Sequence, residues 1–197
     1  MTGPVWRPFG ADAVLVEFAL PHERWSFRCP LADETVVGAR TVLLRFDARR
    51  YRVADLRAAA HLVPSDAARP PRSHTIAVTY DGPDLVAVAD AGGMSAAEYI
   101  LRHTRAEYRA EFCGFAPGFA YLSGLDPALA SPRRANPRPR VPPGSLAVAG
   151  PYCAVYPSAS PGGWNLLGTT TTRLFDPAAA DVALIRPGDT VRFEALS

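Results

Sequence analysis

The chain has 197 residues, 48% of them hydrophobic and 20% charged, and its formal net charge at pH 7 is +2. This composition is typical of a soluble globular protein that can bury a sizeable core, and no apolar run is long enough to span a bilayer. The small net charge gives no reason to expect nucleic-acid binding. All 21 basic residues are arginines, so a P-loop lysine, a Schiff-base lysine and a biotinylated lysine are excluded on this chain.

The three cysteines, Cys29, Cys113 and Cys153, are far apart and form no CxxC pair. The four histidines show no spacing typical of a zinc site. The N-terminal residues lack the basic start and apolar run of a signal peptide. We therefore expect a cytoplasmic protein with free thiols and no bound metal.

The first elements along the chain predict a small α+β unit. Residues 13–20 and 41–46 are rich in branched and aromatic residues and predict strands. The stretch between them, residues 21–39, has two prolines and no clear period, which indicates loop or edge structure. A short helix is predicted from Val53 and ends before a Pro-rich break at 64–73. The predicted N-terminal domain covers residues 1–72.

A strand, a short helix and a longer helix follow this break. The strand covers 74–80 and ends at Asp81-Gly82-Pro83, after which Asp84 is in a position to cap a helix that runs to residue 91. Ser95 with Glu98 three positions later forms a capping box, so 95–108 is the clearest helix of the chain.

From Arg109 onward the pattern changes to short β-like runs separated by proline and glycine turns. The predicted strands are 109–115, 144–150, 153–157, 164–172, 182–185 and 189–196. Many short strands at even spacing indicate a closed or nearly closed barrel. The predicted fold is therefore mainly β, with a barrel domain over residues 73–197 after the α+β part.

Aromatic residues, prolines and glycines crowd together between residues 111 and 168. One cluster forms an apolar turn that either lines a pocket or plugs a barrel end: Phe115, Pro117, Gly118, Phe119, Tyr121 and Leu122. The second cluster, residues 160–164, contains two glycines before Trp164. Its backbone could approach a ligand closely and offer N–H groups to an anion, or it could be a hairpin turn with a buried tryptophan.

The segment between these clusters carries Arg133, Arg134, Arg138 and Arg140 among prolines. Arginine forks bind carboxylate or phosphate, and the prolines predict an extended, partly rigid loop. A solvated loop is the alternative.

No catalytic residue can be assigned from spacing. There is no GxSxG elbow and no evident Ser/His/Asp set. Glu111, Asp126 and His103 could act as acids or bases but are more typical of surface or capping groups. Cys113 and Cys153 fall in predicted strands, where a buried inert thiol is expected.

Taken together, these segments resemble the allophanate hydrolase subunit 1 family, also called the KipI family or the family of the 5-oxoprolinase B subunit. The matching motifs occur in order from about His74 to Leu196: GFAPGFAYLSGLDP, SPRRANPRPRVPPGSLAVAG, VYPSASPGGWNLLG and LFDP…LIRPGDTVRF. The resemblance implies a carboxyltransferase subdomain C/D protein, with a cyclophilin-like β-barrel preceded by a small, shortened α+β domain.

The resemblance also implies an activity. Members of the 5-oxoprolinase type belong to an ATP-dependent complex that cleaves the lactam of 5-oxoproline to glutamate. They act with a homologous second subunit, which is of the allophanate hydrolase subunit 2 type or the 5-oxoprolinase C-subunit type. ATP would bind elsewhere in the complex, so no cofactor is expected on this chain.

Two alternatives remain open. The barrel could be a repurposed stand-alone enzyme or cyclase acting on a larger apolar substrate. It could also be a protein-binding inhibitor of a histidine kinase, as in the KipI member of the family.

The family motifs imply no nucleophile and no metal ligand. They do imply a set of residues that line the barrel pocket or a partner interface. With Tyr152 added, although the chain departs from the motif there, the set is Phe115, Pro117, Phe119, Tyr121, Arg133, Arg138, Arg140, Tyr152, Tyr156, Ser160, Gly162, Gly163 and Trp164.

The chain departs from the family pattern at three places. Residues 152–154 read Tyr-Cys-Ala where the family commonly has Gln-Thr-Gly, and 169–171 read Thr-Thr-Thr where it often has Arg-Thr-Pro. The usual long helix between Leu20 and Thr41 is expected to be missing. Each lost buried hydrogen bond would weaken binding of a small anionic or amide substrate by about 1–3 kcal/mol.

Overall fold

The computed structural model of the protein describes residues 3–20, 22–63 and 70–196. The chain divides into two compact units, residues 1–70 and 71–197. Most of the Pro-rich break predicted at 64–73 lies outside the described residues.

The first unit is built on a four-stranded antiparallel sheet in the order β1-β2-β5-β4. Along β2 and β5, alternate residues are buried in one core, because successive side chains of a strand point to opposite faces. In chain order the elements are β1 (Val5–Pro8), β2 (Ala13–Glu17), α1 (Glu23–Ser26), β3 (Phe27–Arg28), β4 (Glu34–Val37), β5 (Thr41–Arg45), α2 (Val53–Ala59) and β6 (His61–Leu62).

Two details of this unit differ from the sequence-based prediction. The stretch 21–39 was expected to be loop or edge structure; the edge strand β4 agrees with this, whereas α1 and β3 were not predicted. Helix α2 ends at Ala59 because residues 61–62 pair with β3 instead of continuing the helix. In the described residues 22–40 the only helix is the single turn α1, so no long helix occurs there.

The second unit contains a seven-stranded sheet in the order β14-β11-β12-β9-β8-β15-β7, and β10 and β13 form a separate two-stranded ladder. Only the β7–β15 pair is parallel within the large sheet. The elements are β7 (Ser73–Val78), α3 (Leu85–Ala91), α4 (Ala96–Arg105), β8 (Tyr108–Cys113), β9 (Ala120–Ser123), a 3₁₀ turn (Pro127–Leu129), β10 (Arg138–Val141), β11 (Ser145–Ala149), β12 (Tyr152–Val155), β13 (Ser160–Gly162), β14 (Asn165–Thr169) and β15 (Thr190–Ala195).

The large sheet curls until its two outer strands meet. Thr79, just beyond β7, exchanges two backbone hydrogen bonds with Thr169 of β14, at N···O distances of 2.9 and 2.8 Å. The sheet is therefore a nearly closed barrel. This confirms the predicted mainly β fold with an α+β N-terminal part.

Both faces of this sheet are covered. On one face, strand residues such as Leu146 and Val148 pack with residues of α3 and α4, including Tyr99. On the other face, Ala147 and Ala149 pack into an aromatic cluster. All five residues of β11 are buried, which explains why its sequence is apolar without alternation.

The longest helix follows its predicted start more closely than its predicted end. Ser95 Oγ accepts a hydrogen bond from Glu98 N at 3.2 Å, and α4 begins at Ala96. The helix ends at Arg105 and not at residue 108, because Tyr108 starts β8 and its ring is buried. The strand predicted at 182–185 is only an isolated bridge between Phe175 and Ala183.

Candidate functional site

A cleft forms where the segment 79–84 closes over the outer edge of β14. Gly82 N donates to Leu167 O at 3.0 Å and Asp84 N donates to Leu166 O at 3.1 Å. Glycine is required on both sides of this contact, because a β-carbon on Gly82 or Gly168 would overlap the opposing backbone. The closure therefore depends on two backbones that approach without side chains between them.

Asp84 is the buried anchor beside this cleft, with 8% of its side chain exposed. Its Oδ1 accepts hydrogen bonds from Arg134 Nη1 at 2.7 Å and Arg138 Nη2 at 2.8 Å, and its Oδ2 accepts one from Leu166 N at 2.8 Å. Burial alone would raise the pKa of Asp84. The hydrogen bonds from Arg138 and Leu166, with the charges of both arginines, outweigh burial and lower the pKa below its ordinary value.

The cleft has a volume of about 280 Å³ and carries two of the predicted arginines, Arg138 and Arg140. Arg138 is partly held by Asp84, while its Nη1 atom is buried and has no hydrogen-bond partner among the described residues. Arg140 forms no ion pair with a carboxylate among the residues that the structure describes. The other lining residues are Asp81, Gly82, Pro83, Pro142, Ser145, Leu166, Gly168 and Thr169.

An acidic group faces the same cleft. The exposed Asp81 accepts the hydroxyl of Thr169, whose Oγ1 lies 3.0 and 3.2 Å from the two carboxylate oxygens. Thr169 is the first residue of the segment 169–171, where the sequence is expected to depart from the family motif. In this chain Asp81 therefore has a hydroxyl partner but, among the described residues, no cationic one.

The predicted aromatic residues do come together, as one ring cluster on the face of the sheet opposite α3 and α4. Phe119 lies at its centre, with ring centroids 5.2 Å from Tyr156, 5.5 Å from Trp164 and 5.0 Å from Tyr121. Phe119, Tyr156 and Trp164 are buried, whereas Tyr121 and Tyr152 are partly exposed. None of these rings is among the residues that line the Arg138–Arg140 cleft.

Phe115 differs from the other rings of the cluster because 62% of it is exposed. Its φ is 73°, and it is the one non-glycine residue with positive φ in the described parts of the chain. A side chain in this backbone region is strained and needs support from its surroundings. Its ring contacts Phe119 and Tyr156 edge to face, at 5.2 and 6.2 Å.

Arg133 lies beside the same rings and outside the cleft. Burial raises the pKa of Tyr121 and Tyr156, and the positive charge of Arg133 acts in the opposite direction on both. Its guanidinium has no ion pair among the described residues. The predicted arginines thus separate into Arg133 beside the rings, and Arg138 and Arg140 in the cleft.

The remaining predicted site residues lie around the β10–β13 ladder and the β8–β9 turn. Gly162 is packed so closely against Tyr156 and Val141 that a side chain there would collide with them. The Oγ atom of Ser160 is buried without a hydrogen-bond partner in the described regions. Gly163 O accepts a hydrogen bond from Arg134 N at 2.8 Å. Pro117 is exposed and lies in the same turn as Phe115.

The acid–base candidates have structural partners. His103 is fully buried, its Nδ1 lies 2.8 Å from Tyr80 Oη, and burial lowers its pKa to about 3. Asp126 accepts Ala128 N at the start of the 3₁₀ turn. Glu111 Oε1 accepts the hydroxyl of Ser123 at 2.8 Å.

The thiols near the site are enclosed. Cys153 is fully buried on the helix-covered face, and burial raises its pKa. Burial, with a smaller contribution from the charge of Asp189, raises the pKa of Cys113 to about 11. Tyr152 and Cys153 point to opposite faces of β12, so only Tyr152 contacts the ring cluster.

Within residues 3–20, 22–63 and 70–196, no group of three or more His, Cys, Asp or Glu side chains is arranged to hold a metal ion. The same residues contain no helix with the length and apolar character needed to cross a membrane.

The second unit is thus a nearly closed β-barrel with an arginine-bearing cleft. The chain belongs to the family of the carboxyltransferase domain, subdomain C and D, whose model matches residues 4–185. The resemblance seen in the motifs is therefore confirmed.

Individual relatives agree with this assignment. The 5-oxoprolinase B subunit of Escherichia coli O157:H7 is 51% identical over 112 residues, which cover 57% of this chain and 51% of the relative. The chain spans about half the length of the curated relatives it matches.

Solved structures share the fold. The crystal structure of TTHA0988 matches 98% of this chain and 40% of its own chain, with a TM-score of 0.81 and 33% identity. The conserved uncharacterized protein PH0987 from Pyrococcus horikoshii matches over 98% of both chains, with a TM-score of 0.62 and 29% identity.

Sequence reasoning did not identify Asp84 or Asp81 as site residues. Asp84 was expected to cap α3, and it does stand at the N-cap position, but its side chain makes no capping hydrogen bond. Its partners Arg134 and Arg138 are 50 and 54 residues away. One signal was available in the sequence. The four arginines of the run have no acidic residue among them, so an ion-pair partner for any of them has to come from a distant part of the chain.

Proposed function

We propose that this chain is a subunit of a 5-oxoprolinase-type complex that hydrolyses a small lactam or amide. The observation that carries the proposal is the 51% identity to a 5-oxoprolinase B subunit over 112 residues. Membership of the carboxyltransferase family and the arginine-bearing cleft are consistent with it.

The cleft supplies the chemistry for binding the carboxylate of such a substrate. The guanidiniums of Arg138 and Arg140 both line it, and guanidinium groups bind carboxylates with charge-assisted hydrogen bonds. Arg138 Nη1 needs a ligand oxygen or a water molecule to satisfy it, because it is buried without a protein partner in the described residues. Asp84 keeps Arg138 oriented while ligand enters.

In the proposed complex, groups from another chain complete the reaction. The enclosed thiols and the neutral, buried His103 provide no evident nucleophile or base at the cleft. We propose that a homologous second subunit supplies these groups and that ATP binds outside this chain, which has no lysine for a P-loop. The three free cysteines fit a cytoplasmic complex.

The test is reconstitution with the natural partner. The chain would be co-expressed with the candidate second subunit, and conversion of 5-oxoproline to glutamate would be measured with and without ATP. We expect turnover only with both subunits and ATP. Arg140→Ala should raise KM by about tenfold or more with a smaller change in kcat, because it removes ground-state binding of the carboxylate.

Arg105→Ala is the matched control, since Arg105 ends α4 and does not line the cleft. The proposal fails if the co-purified pair, with ATP, converts neither 5-oxoproline nor a related small amide.

A second candidate function is a protein-binding module, such as an inhibitor of a histidine kinase. The exposed, strained Phe115 favours it, together with Arg133 beside the same ring cluster, because aromatic residues and arginines are enriched at binding hot spots. Phe115→Ala would then abolish capture of the kinase and leave 5-oxoproline turnover unaffected.

A further inference from the structure

We propose that the Arg138–Arg140 cleft recognises a zwitterion, with the two arginines binding its carboxylate and Asp81 binding its protonated amine. This inference rests on the proposed function, because it assumes that the arginines bind the ligand's carboxylate. The inference adds Asp81 as a second charged group that binds the ligand. It also specifies the class of ligand, which is small α-amino acids that carry both an ammonium and a carboxylate.

The first support is the state of Asp81. Its carboxylate lines the cleft and is exposed, and its partner there is the hydroxyl of Thr169. A carboxylate has about four lone-pair sites, so one hydroxyl leaves most of its accepting capacity unused. Within residues 3–20, 22–63 and 70–196, no arginine or histidine forms an ion pair with Asp81.

The second support is that the opposite charges lining the cleft are not paired with each other. Arg138 and Arg140 line the same space as Asp81, but neither forms an ion pair with it in the described structure. The negative charge of Asp84 is already shared between Arg134 and Arg138, so it does not neutralise Arg140. Two opposite charges that share about 280 Å³ without pairing are complementary to a ligand that carries both charges.

This arrangement distinguishes two ligands of the proposed reaction. A lactam such as 5-oxoproline has a carboxylate, but its ring nitrogen is uncharged. The ring-opened amino acid has the same carboxylate together with an ammonium group. The cleft should therefore hold the ring-opened form more tightly than the lactam.

The test is calorimetric titration of the full chain, without partner, using L-glutamate, glutarate and 5-oxoproline as probes. Glutarate matches glutamate except for the amine. We expect glutamate to bind about tenfold more tightly than either other probe. Only glutamate can donate a charge-assisted hydrogen bond from an ammonium group to Asp81, and one such bond changes the affinity by about this factor. Asp81→Asn should remove this preference, and Asp90→Asn, on the exposed end of α3, should keep it.

A second variant approaches the same site by adding charge. Thr169→Arg would place a cation beside Asp81 and should abolish the preference for glutamate over glutarate. Thr171→Arg adds the same charge at an exposed residue outside the cleft and should leave the preference intact.

Equal affinity of the unmodified chain for glutamate and glutarate would overturn the inference. If Arg140→Ala weakens both probes in that case, the carboxylate pole of the proposed function still stands. Absence of binding by all three probes would overturn the zwitterion site, and the turnover assay with the second subunit would then judge the proposed function separately.

Discussion

The carboxylate of Asp84 joins three segments that are far apart in sequence: the start of α3, the arginine run and β14. Its hydrogen bonds to Arg134, Arg138 and Leu166 N use both oxygens of the side chain. A buried carboxylate is tolerated only when it is paired and hydrogen-bonded in this way. The position of Arg138 in the cleft is therefore set by a residue that does not itself line the cleft.

We expect Asp84→Ala to destabilise the protein by about 2–3 kcal/mol, since it removes charge-assisted hydrogen bonds and leaves Arg138 without its partner. Urea unfolding would measure the change. Asp90→Ala, on the same helix but exposed, should change the free energy of unfolding by less than about 0.5 kcal/mol. Equal effects of the two substitutions would contradict the anchoring role of Asp84.

His103 gives a second prediction at the scale of one residue. Its pKa is about 3 in the folded protein, against an ordinary value of 6.5, because burial disfavours the charged ring. The unfolded chain therefore binds one more proton between these values. The stability that neutral His103 contributes is fully present above pH 6.5 and is lost as the pH falls towards 3.

Lowering the pH from about 7 to about 5 should cost on the order of 2 kcal/mol through this residue. His103→Gln cannot titrate, so its stability should decline less over the same interval. Urea unfolding of both proteins at the two pH values provides the measurement. Parallel declines would show that His103 is not the titrating group.

At the scale of elements, barrel closure depends on close backbone contact between segment 79–84 and β14. We expect Gly168→Ala to destabilise the protein by about 1–3 kcal/mol, because the new β-carbon would overlap Thr79 O and crowd Tyr80. Gly114→Ala is the matched control, since no atom lies within 4 Å of the position that its β-carbon would occupy. Thermal unfolding should separate the two variants, and similar melting temperatures would argue against a tight closure.

Sequence patterns predicted well those elements whose structure depends on local signals, such as a helix cap or an apolar run. The capping box marked the start of α4, and the apolar run of β11 indicated a buried strand. Strand β4 was predicted only as loop or edge structure, because it is an exposed edge strand with little alternation. The apolar stretch 182–185 was predicted as a strand, but it pairs only through the bridge at Ala183.

The candidate site was predictable in part for the same reason. Arg138 and Arg140 stood out by residue type, and both line the cleft. The roles of Asp81 and Asp84 depend on contacts with β14 and with the arginine run, which local sequence cannot show. The sequence also could not show that Phe119 and Trp164 are buried while Phe115 is exposed.

At the scale of the whole molecule, the enclosed cysteines predict slow thiol chemistry. Cys29 and Cys153 are buried, Cys113 is half-buried, and burial raises the pKa of all three. We expect iodoacetamide at neutral pH to label Cys153 only when the barrel opens, so mass spectrometry should find it unlabelled in native protein and labelled in urea. Rapid labelling of Cys153 under native conditions would contradict its position in the core.

The parallel pairing of β7 with β15 has a consequence for biosynthesis. Ser73 and Thr190, which face each other across this ladder, are 117 residues apart. During translation β7 therefore leaves the ribosome long before β15 has been synthesised, and until then the edge of β7 that pairs with β15 stays unpaired. Substitutions in β15 should consequently lower the yield of folded protein during translation more than equally destabilising changes in the β8–β9 hairpin.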